Sequence, residues 1–166
     1  MDIIAVVETS PDKDVPFAVT VESPHSPEAA RLIQDLSTEL GARYGDDGSG
    51  AFRPADVEVP GGAFVVARLG DWPVGCGAVR PLEPGVAEVK RMFVDPAARR
   101  RGIARRILGK LEEVARELGY QAVRLETGTL QQEAIGLYES AGYYRVPCYG
   151  QYTTNPLSVC YEKRLQ

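Results

Sequence analysis

The chain has 166 residues, 44% of them hydrophobic, enough for one globular domain with a full core. A net charge of −4 argues against nucleic acid as a bulk electrostatic partner, and no run approaches the ~20 apolar residues of a membrane span. Three cysteines, Cys76, Cys148 and Cys160, show neither Cys-x-x-Cys nor metal-ligand spacing, so no metal is expected and a reducing, cytoplasmic setting fits. Met1-Asp2-Ile3-Ile4 places an acid where a secretory leader carries positive charge.

Residues 2–8 and 16–22 read as strands, with Thr9-Ser10-Pro11-Asp12-Lys13-Asp14 as the turn between them. Ser26-Pro27-Glu28 is a helix start: a serine N-cap, a proline at the first position and an acid in the first turn. Leu32, Ile33, Leu36, Leu40 and Tyr44 mark one face of the helix that follows, to about residue 44. His25, the single histidine, precedes this cap and is given no role. Gly45-Asp46-Asp47-Gly48-Ser49-Gly50 reads as a solvated connector too short for a domain boundary, the alternative being a loop that closes over a substrate and whose acids attract a cationic acceptor. Residues 63–69 and 73–80 form strands around Gly70-Asp71-Trp72, a hairpin. Gly75 and Gly77, alternating with Cys76, weaken the second strand or mark a bulge. Pro81-Leu82-Glu83-Pro84-Gly85 reads as a further turn.

The next stretch organises the chain. Residues 86–94 are a strand, stopped by Asp95-Pro96. After a basic turn, Ile103, Ile107, Leu108, Leu111, Val114, Ala115 and Leu118 form one helical stripe, with Gly119 as the C-terminal cap. A helix start presents unpaired N–H groups and about half a positive charge. Gly102 and Ala104 leave room for a ligand against the backbone, and Arg99, Arg100, Arg101, Arg105 and Arg106 surround it with cations. The turn suits a pyrophosphate. It is neither a nucleoside-triphosphate loop nor a Gly-x-Gly-x-x-Gly fingerprint.

Gln121-Ala122-Val123-Arg124-Leu125-Glu126-Thr127 is a strand ending at Gly128, parallel to 86–94 because a whole helix separates them. Thr129-Leu130-Gln131-Gln132 has the spacing of a capping box. Leu130, Ala134, Leu137, Tyr138 and Ala141 stripe the helix it opens, closed by Gly142. Residues 143–146 and 157–161 finish the chain as strands, joined by a polar loop through Gly150 and Asn155-Pro156.

The turn Arg99-x-x-Gly102-x-Ala104 resembles the Gln/Arg-x-x-Gly-x-Gly/Ala signature of the GNAT superfamily of N-acetyltransferases. Ala134-Ile135-Gly136-Leu137-Tyr138-Glu139-Ser140-Ala141-Gly142-Tyr143 is similar to that family's Ala-x-x-Leu-Tyr-x-x-x-Gly-Phe/Tyr helix, in the right order and at the right distance. The resemblance covers roughly residues 25–165. It implies an α/β (α+β) GNAT-like fold: a mixed sheet of about six or seven strands, splayed between 86–94 and 121–127, flanked by about three to four helices. Residues 1–166 then form one N-acetyltransferase domain, with N-terminal strands in 1–24 and an acetyl-CoA-binding core in 86–144.

The same resemblance implies site residues. Met92, Phe93 and Val94 would offer backbone groups to the pantetheine arm of acetyl-CoA, and Arg99, Arg100, Arg101, Gly102, Ile103, Ala104 and Arg105 would hold its diphosphate. Tyr138 occupies the position where family members protonate the departing thiolate, and Glu88, eleven residues before Arg99, the position of a general base. A carboxylate of ordinary pKa ~4.3 needs burial or a relaying water for that task. An ion pair with Lys90 or Arg91 is the alternative for Glu88, and Glu126 is a second candidate base. Gln131 stands where the family often carries asparagine, which keeps an amide but lengthens its reach.

The expected activity is acetyl transfer from acetyl-CoA to a small or protein amine by direct attack in a ternary complex. The cysteines lack a flanking base or acid for a covalent route. A non-catalytic acyl-CoA-binding or protein-interaction module of the same fold is the alternative, and a homodimer is left open.

Overall fold

The computed structural model describes residues 4–6 and 15–166. Its strands are β1 (Ile4–Val6), β2 (Phe17–Val21), β3 (Ala63–Leu69), β4 (Trp72–Glu83), β5 (Val86–Val94), β6 (Ala122–Gly128), β7 (Tyr144–Val146) and β8 (Ser158–Arg164); its α-helices are α1 (Pro27–Tyr44), α2 (Ile103–Glu117) and α3 (Gln132–Ser140). Short 3-10 turns cover Ser49–Ala51, Pro54–Val57, Pro96–Ala98 and Gly150–Tyr152. The strands form one eight-stranded sheet in the order β1-β2-β3-β4-β5-β6-β8-β7. The expected six or seven strands fall short because the three-residue strands at both ends of the sheet, β1 and β7, join it. The predicted turn at 9–14 lies outside the described residues.

Local sequence accounts for most boundaries. The Ser26 hydroxyl accepts from the Ala29 amide (3.1 Å), and Gly45 ends α1 at φ 73°. Gly70, at φ 57°, makes the two-residue hairpin that pairs Leu69 with Trp72. One expected cap is absent. The first position of α3 is preceded by Gln131, and Thr129 offers Gln132 its backbone carbonyl (2.7 Å) rather than a capping hydroxyl. β4 also runs past its expected end at residue 80, with Pro81 taken up by a register shift between Pro81 and Glu83.

The two faces of the sheet carry separate cores. α2 covers one, burying Ile107, Leu108 and Leu111 against Val65, Val79, Val89 and Leu125. α1 covers the other, burying Leu32 and Leu36 with Phe52, Phe64 and Phe93. Full burial of one such side chain stabilises by about 1.5–3 kcal/mol. Leu118 and Leu130, counted in the sequence stripes, lie just outside their helices and stay exposed. Gly75 and Gly77 let α2 approach: a Cβ on Gly75 would stand 2.8 Å from Ile107 Cδ1, and one on Gly77 2.7 Å from Leu111 Cδ1.

Two features open the sheet. β5 and β6 pair in parallel only from Val86–Ala122 to Val89–Leu125. Beyond that point β6 stays with β8 and β5 stays with β4. At the parting, β5 carries a bulge: Cys76 to Ala78 on β4 spans two steps, while Phe93 to Lys90 on β5 spans three. The extra residue is Arg91, a non-glycine at φ 56°. Its guanidinium secures that conformation by donating to Ser37 Oγ (3.1 Å) and the Gly48 carbonyl (2.7 Å) over the Phe52 ring. A bulge adds twist and turns the strand away from its neighbour.

Candidate active site

A cleft of about 460 Å³ lies where β5 and β6 part. Val89, Lys90, Arg91 and Met92 line it from β5; Glu126, Thr127 and Gly128 line it from β6. Leu36, Leu40 and Tyr44 of α1 and the Asp46–Ala51 segment form one wall, and Tyr152, Asn155 and Leu157 another. Tyr138 of α3 closes the floor.

Tyr138 is 6% exposed and its ring packs at 5.9 Å from Tyr143 and 6.3 Å from Tyr161. Among the described residues its hydroxyl has no hydrogen-bond partner. Buried polar groups are nearly always paired, so an orphan hydroxyl on a cleft floor indicates a ligand contact. Burial, with the nearby Glu126 carboxylate, pushes its pKa well above the usual phenol value. Tyr138 therefore stays protonated throughout the physiological range.

Glu88 is placed differently from its expected role. It is 1% exposed and opens toward an adjoining cleft with Arg80, Asp56 and Tyr149, not toward Tyr138. Arg80 Nε and Nη2 donate to Glu88 Oε1 at 2.9 and 2.7 Å, and the Tyr149 hydroxyl donates to Oε2 at 2.8 Å. Both oxygens are engaged. The ion pair expected as the alternative exists, but with Arg80 rather than with Lys90 or Arg91, because Lys90 and Arg91 lie on the wall of the main cleft. Glu126 does face that cleft, accepting from the Ser158 hydroxyl at 2.7 Å.

The basic turn lies beyond the cleft at the end of β5. Gly102 adopts φ 76° at the N-cap of α2, with no side-chain cap and nothing within 4 Å of an added Cβ. The first-turn amides of Ile103, Ala104 and Arg105 thus lack a side-chain cap. The Ile103 side chain, 2% exposed, belongs to the core, so only its backbone is available to a ligand. Arg99 is not a free cation: its Nε donates to the Val94 carbonyl (2.9 Å) and its Nη2 to Glu39 (2.7 Å). That side chain braces the turn against α1. Arg105 donates to the Ser140 hydroxyl and so ties α2 to α3. Arg100 stands exposed at φ 65° and Arg101 is half-buried.

Gln131 accepts from the Gly128 amide (3.1 Å) and the Thr127 hydroxyl (3.2 Å) through Oε1. It joins the end of β6 to the start of α3 and lines the cleft. Met92 lines the cleft, whereas the Phe93 and Val94 side chains are buried on opposite faces of the sheet. The unpaired edge of β5 runs along all three. Cys148 and Cys160 form a disulfide, their Cα atoms 5.1 Å apart, which corrects the reading of all three cysteines as reduced: antiparallel pairing of β7 with β8 brings together two residues twelve apart in sequence. Cys76 is buried, and burial pushes its thiol up to about 12, which removes it as a nucleophile.

Sequence reasoning missed Tyr149 and Tyr152. No periodic pattern marks them, since both sit in the loop between β7 and β8 and reach Glu88 and Lys90 only through the fold. Among the described residues no helix is long and apolar enough to cross a membrane, and no three His, Cys, Asp or Glu residues are grouped to hold a metal.

Comparison with known proteins agrees with this geometry. The chain is 39% identical to an IAA acetyltransferase of Azospirillum brasilense over 87% of its own length and 95% of the relative's. It is 33% identical to the uncharacterized N-acetyltransferase YjgM of Escherichia coli, covering 75% of this chain and 82% of that one. A crystal structure from Klebsiella pneumoniae, of a protein named as a candidate acyl-CoA N-acyltransferase, superposes with a TM-score of 0.77 at 30% identity, covering 90% and 98% of the two chains. A GNAT acetyltransferase of Elizabethkingia anophelis, solved with acetyl-CoA bound, shares the fold at a TM-score of 0.67 and 15% identity, covering 90% and 99%. The model of the acetyltransferase (GNAT) family matches residues 29–143, and the chain belongs to that family.

Proposed function

We propose that this protein acetylates the primary amine of a small molecule, by direct attack on acetyl-CoA inside the cleft between β5 and β6. The observation that carries this reading is the buried, unpartnered Tyr138 hydroxyl on the floor of that cleft. The residues present suit acetyl-CoA, whose thioester supplies an activated acetyl group on a thiol leaving group. Gly102, Ile103, Ala104 and Arg105 would hold the diphosphate through the N-terminal amides of α2, with Arg100 and Arg101 beside them. Met92, Phe93 and Val94 would give the unpaired edge of β5 to the pantetheine arm, and Gln131 its amide NH2.

Each remaining residue has a defined task. An amine of ordinary pKa ~10.4 must shed a proton before it can attack. Desolvation in the cleft favours its neutral form, and its acidity rises sharply once nitrogen bonds to the carbonyl carbon. Glu126 then takes that proton. What supports Glu126 over Glu88 is its position: Glu126 faces the cleft, while both Glu88 oxygens are held by Arg80 and Tyr149. Tyr138 donates a hydrogen bond to sulfur as negative charge collects there. With its pKa raised, it lends its proton without giving it up permanently. A cytoplasmic location accompanies this reading, because acetyl-CoA is an intracellular metabolite.

The test is a thiol-release assay with acetyl-CoA across a panel of primary amines, alongside calorimetry of acetyl-CoA alone. Amine-dependent release with micromolar acetyl-CoA binding is expected. Binding without release from any amine would leave only a non-catalytic binding module, and no binding would remove the reading altogether.

A further inference from the structure

The cleft holds two cations that no carboxylate contacts within 4.0 Å among the described residues. Lys90 and Arg91 are consecutive on the bulge, and both line the cleft wall. Among the described residues neither makes an ion pair. Arg91 donates to a serine hydroxyl and a carbonyl. Half-buried Lys90 donates to the Tyr152 hydroxyl. Three other half-buried cations pair with acids, Arg68 with Glu22, Arg80 with Glu88 and Asp56, and Arg124 with Glu162, whereas Arg101 on the basic turn, outside this cleft, does not among the described residues. A charge withdrawn from water is costly without an opposite charge, so Lys90 stands out.

Lys90 also has a neighbour it does not reach. Val89 and Leu125 are the last register pair of β5 and β6, so Lys90 and Glu126 come next on the same face of the sheet. Regular pairing would make them an ion pair. The parting of the strands holds them apart, one on each lip of the cleft, and no contact within 4.0 Å joins them. The two lips thus oppose one anion, Glu126, to one cation, Lys90, across the gap through which the acyl group must arrive, with Arg91 and Asp46 further along the cleft wall.

We propose that the acceptor is an amine bearing a carboxylate, a molecule of the amino-acid class. Its amino group lies toward Glu126, and its carboxylate is held by Lys90. The donors around Lys90 suit a monoanion: the Tyr152 hydroxyl accepts from Lys90 and keeps its own proton to donate, and the Asn155 and Gln151 amides line the same wall. A phosphate dianion would call for a second free cation, and the Arg91 guanidinium is already committed to Ser37 and Gly48. A site with a desolvated charge to satisfy rejects analogues that leave it unpaired far more strongly than an apolar pocket rejects a missing methylene. Lys90 is then the specificity residue, and it rests on the acetyltransferase reading above.

The experiment compares matched pairs that differ only in the carboxylate: leucine with isoamylamine, phenylalanine with phenethylamine, and lysine with cadaverine. Thiol release is followed for the wild-type protein, Lys90→Met and Lys90→Arg, with acetyl-CoA binding checked by calorimetry in each. The wild-type kcat/KM is expected to favour a carboxylate-bearing member by at least about tenfold, through a lower KM. Lys90→Met should bring that ratio close to one, and Lys90→Arg should restore most of it. Equal turnover of both members by the wild type, or a preference that survives Lys90→Met, overturns the carboxylate assignment and leaves the acetyltransferase intact. No release from any pair overturns both.

Discussion

Replacing Tyr138 with phenylalanine removes one oxygen and keeps the ring stacking on Tyr143 and Tyr161. Two consequences of opposite character follow. A hydrogen bond to a charged partner contributes about 1.5–3 kcal/mol, and each ~1.4 kcal/mol is tenfold in rate. Loss of the bond to the departing sulfur should therefore lower kcat by roughly 10- to 150-fold. Stability should not follow. The hydroxyl has no protein partner among the described residues, so its removal forfeits no internal hydrogen bond. The unfolding free energy should change by less than about 1 kcal/mol, worth about 2–4 °C in Tm for a chain of this size. Steady-state thiol release and a calorimetric melt on the same preparation measure both quantities. A kcat within about twofold of the wild type would refute the assignment of Tyr138 to the leaving group. A large fall in Tm would show that the hydroxyl has a structural partner.

The two carboxylates should separate by phenotype. Glu126→Gln is expected to lower kcat by ~10²-fold or more with little effect on Tm. Glu88→Gln should instead lower stability by about 1–3 kcal/mol, since Arg80 is left with Asp56 alone; denaturant unfolding distinguishes the two. Gly102→Ala should raise the acetyl-CoA KM several-fold and cost about 1–2 kcal/mol, because an alanine at φ 76° is strained although its Cβ meets nothing. The buried tyrosines set an alkaline limit. Burial raises the pKa of Tyr138, of Tyr143 beside Glu112 and of Tyr149 beside Glu88. The folded state then keeps protons that the unfolded chain releases near pH ~10. Stability should be full below that pH and fall as pH rises above it. Melts between about pH 8 and 11 measure this, and a Tm unchanged across that window would contradict the burial.

Much of the architecture was legible in the linear pattern. Ser26-Pro27 and Gly45 bracket α1 because cap chemistry is local. The stripe from Ile103 to Ala115 is the face that α2 buries, since periodicity records which side meets the core. Gly75 and Gly77 announced an irregular strand without saying which chain bulges. β4 itself bulges at Val74, beside Gly75, in its pairing with β3, and a second bulge lies across the next ladder on β5, at Arg91. An arginine at positive φ leaves no mark in sequence, because its conformation is secured by Ser37 and Gly48, more than forty positions away.

The order of the elements, the glycine-bearing start of α2 and the tyrosine of α3 can be read along the chain, because these depend on backbone preferences and on spacing along one helix or strand. What the charges do is set by how the folded strands and helices meet. Arg99 turned from one of five cations around the turn into a brace on Glu39, and Glu88 from a solitary acid into the partner of Arg80 and Tyr149. Lys90 and Glu126 became opposite lips of one cleft. A side chain's charge acts over a few ångströms in space, and which groups lie within that reach is a property of how strands pair and part, not of their order in the chain.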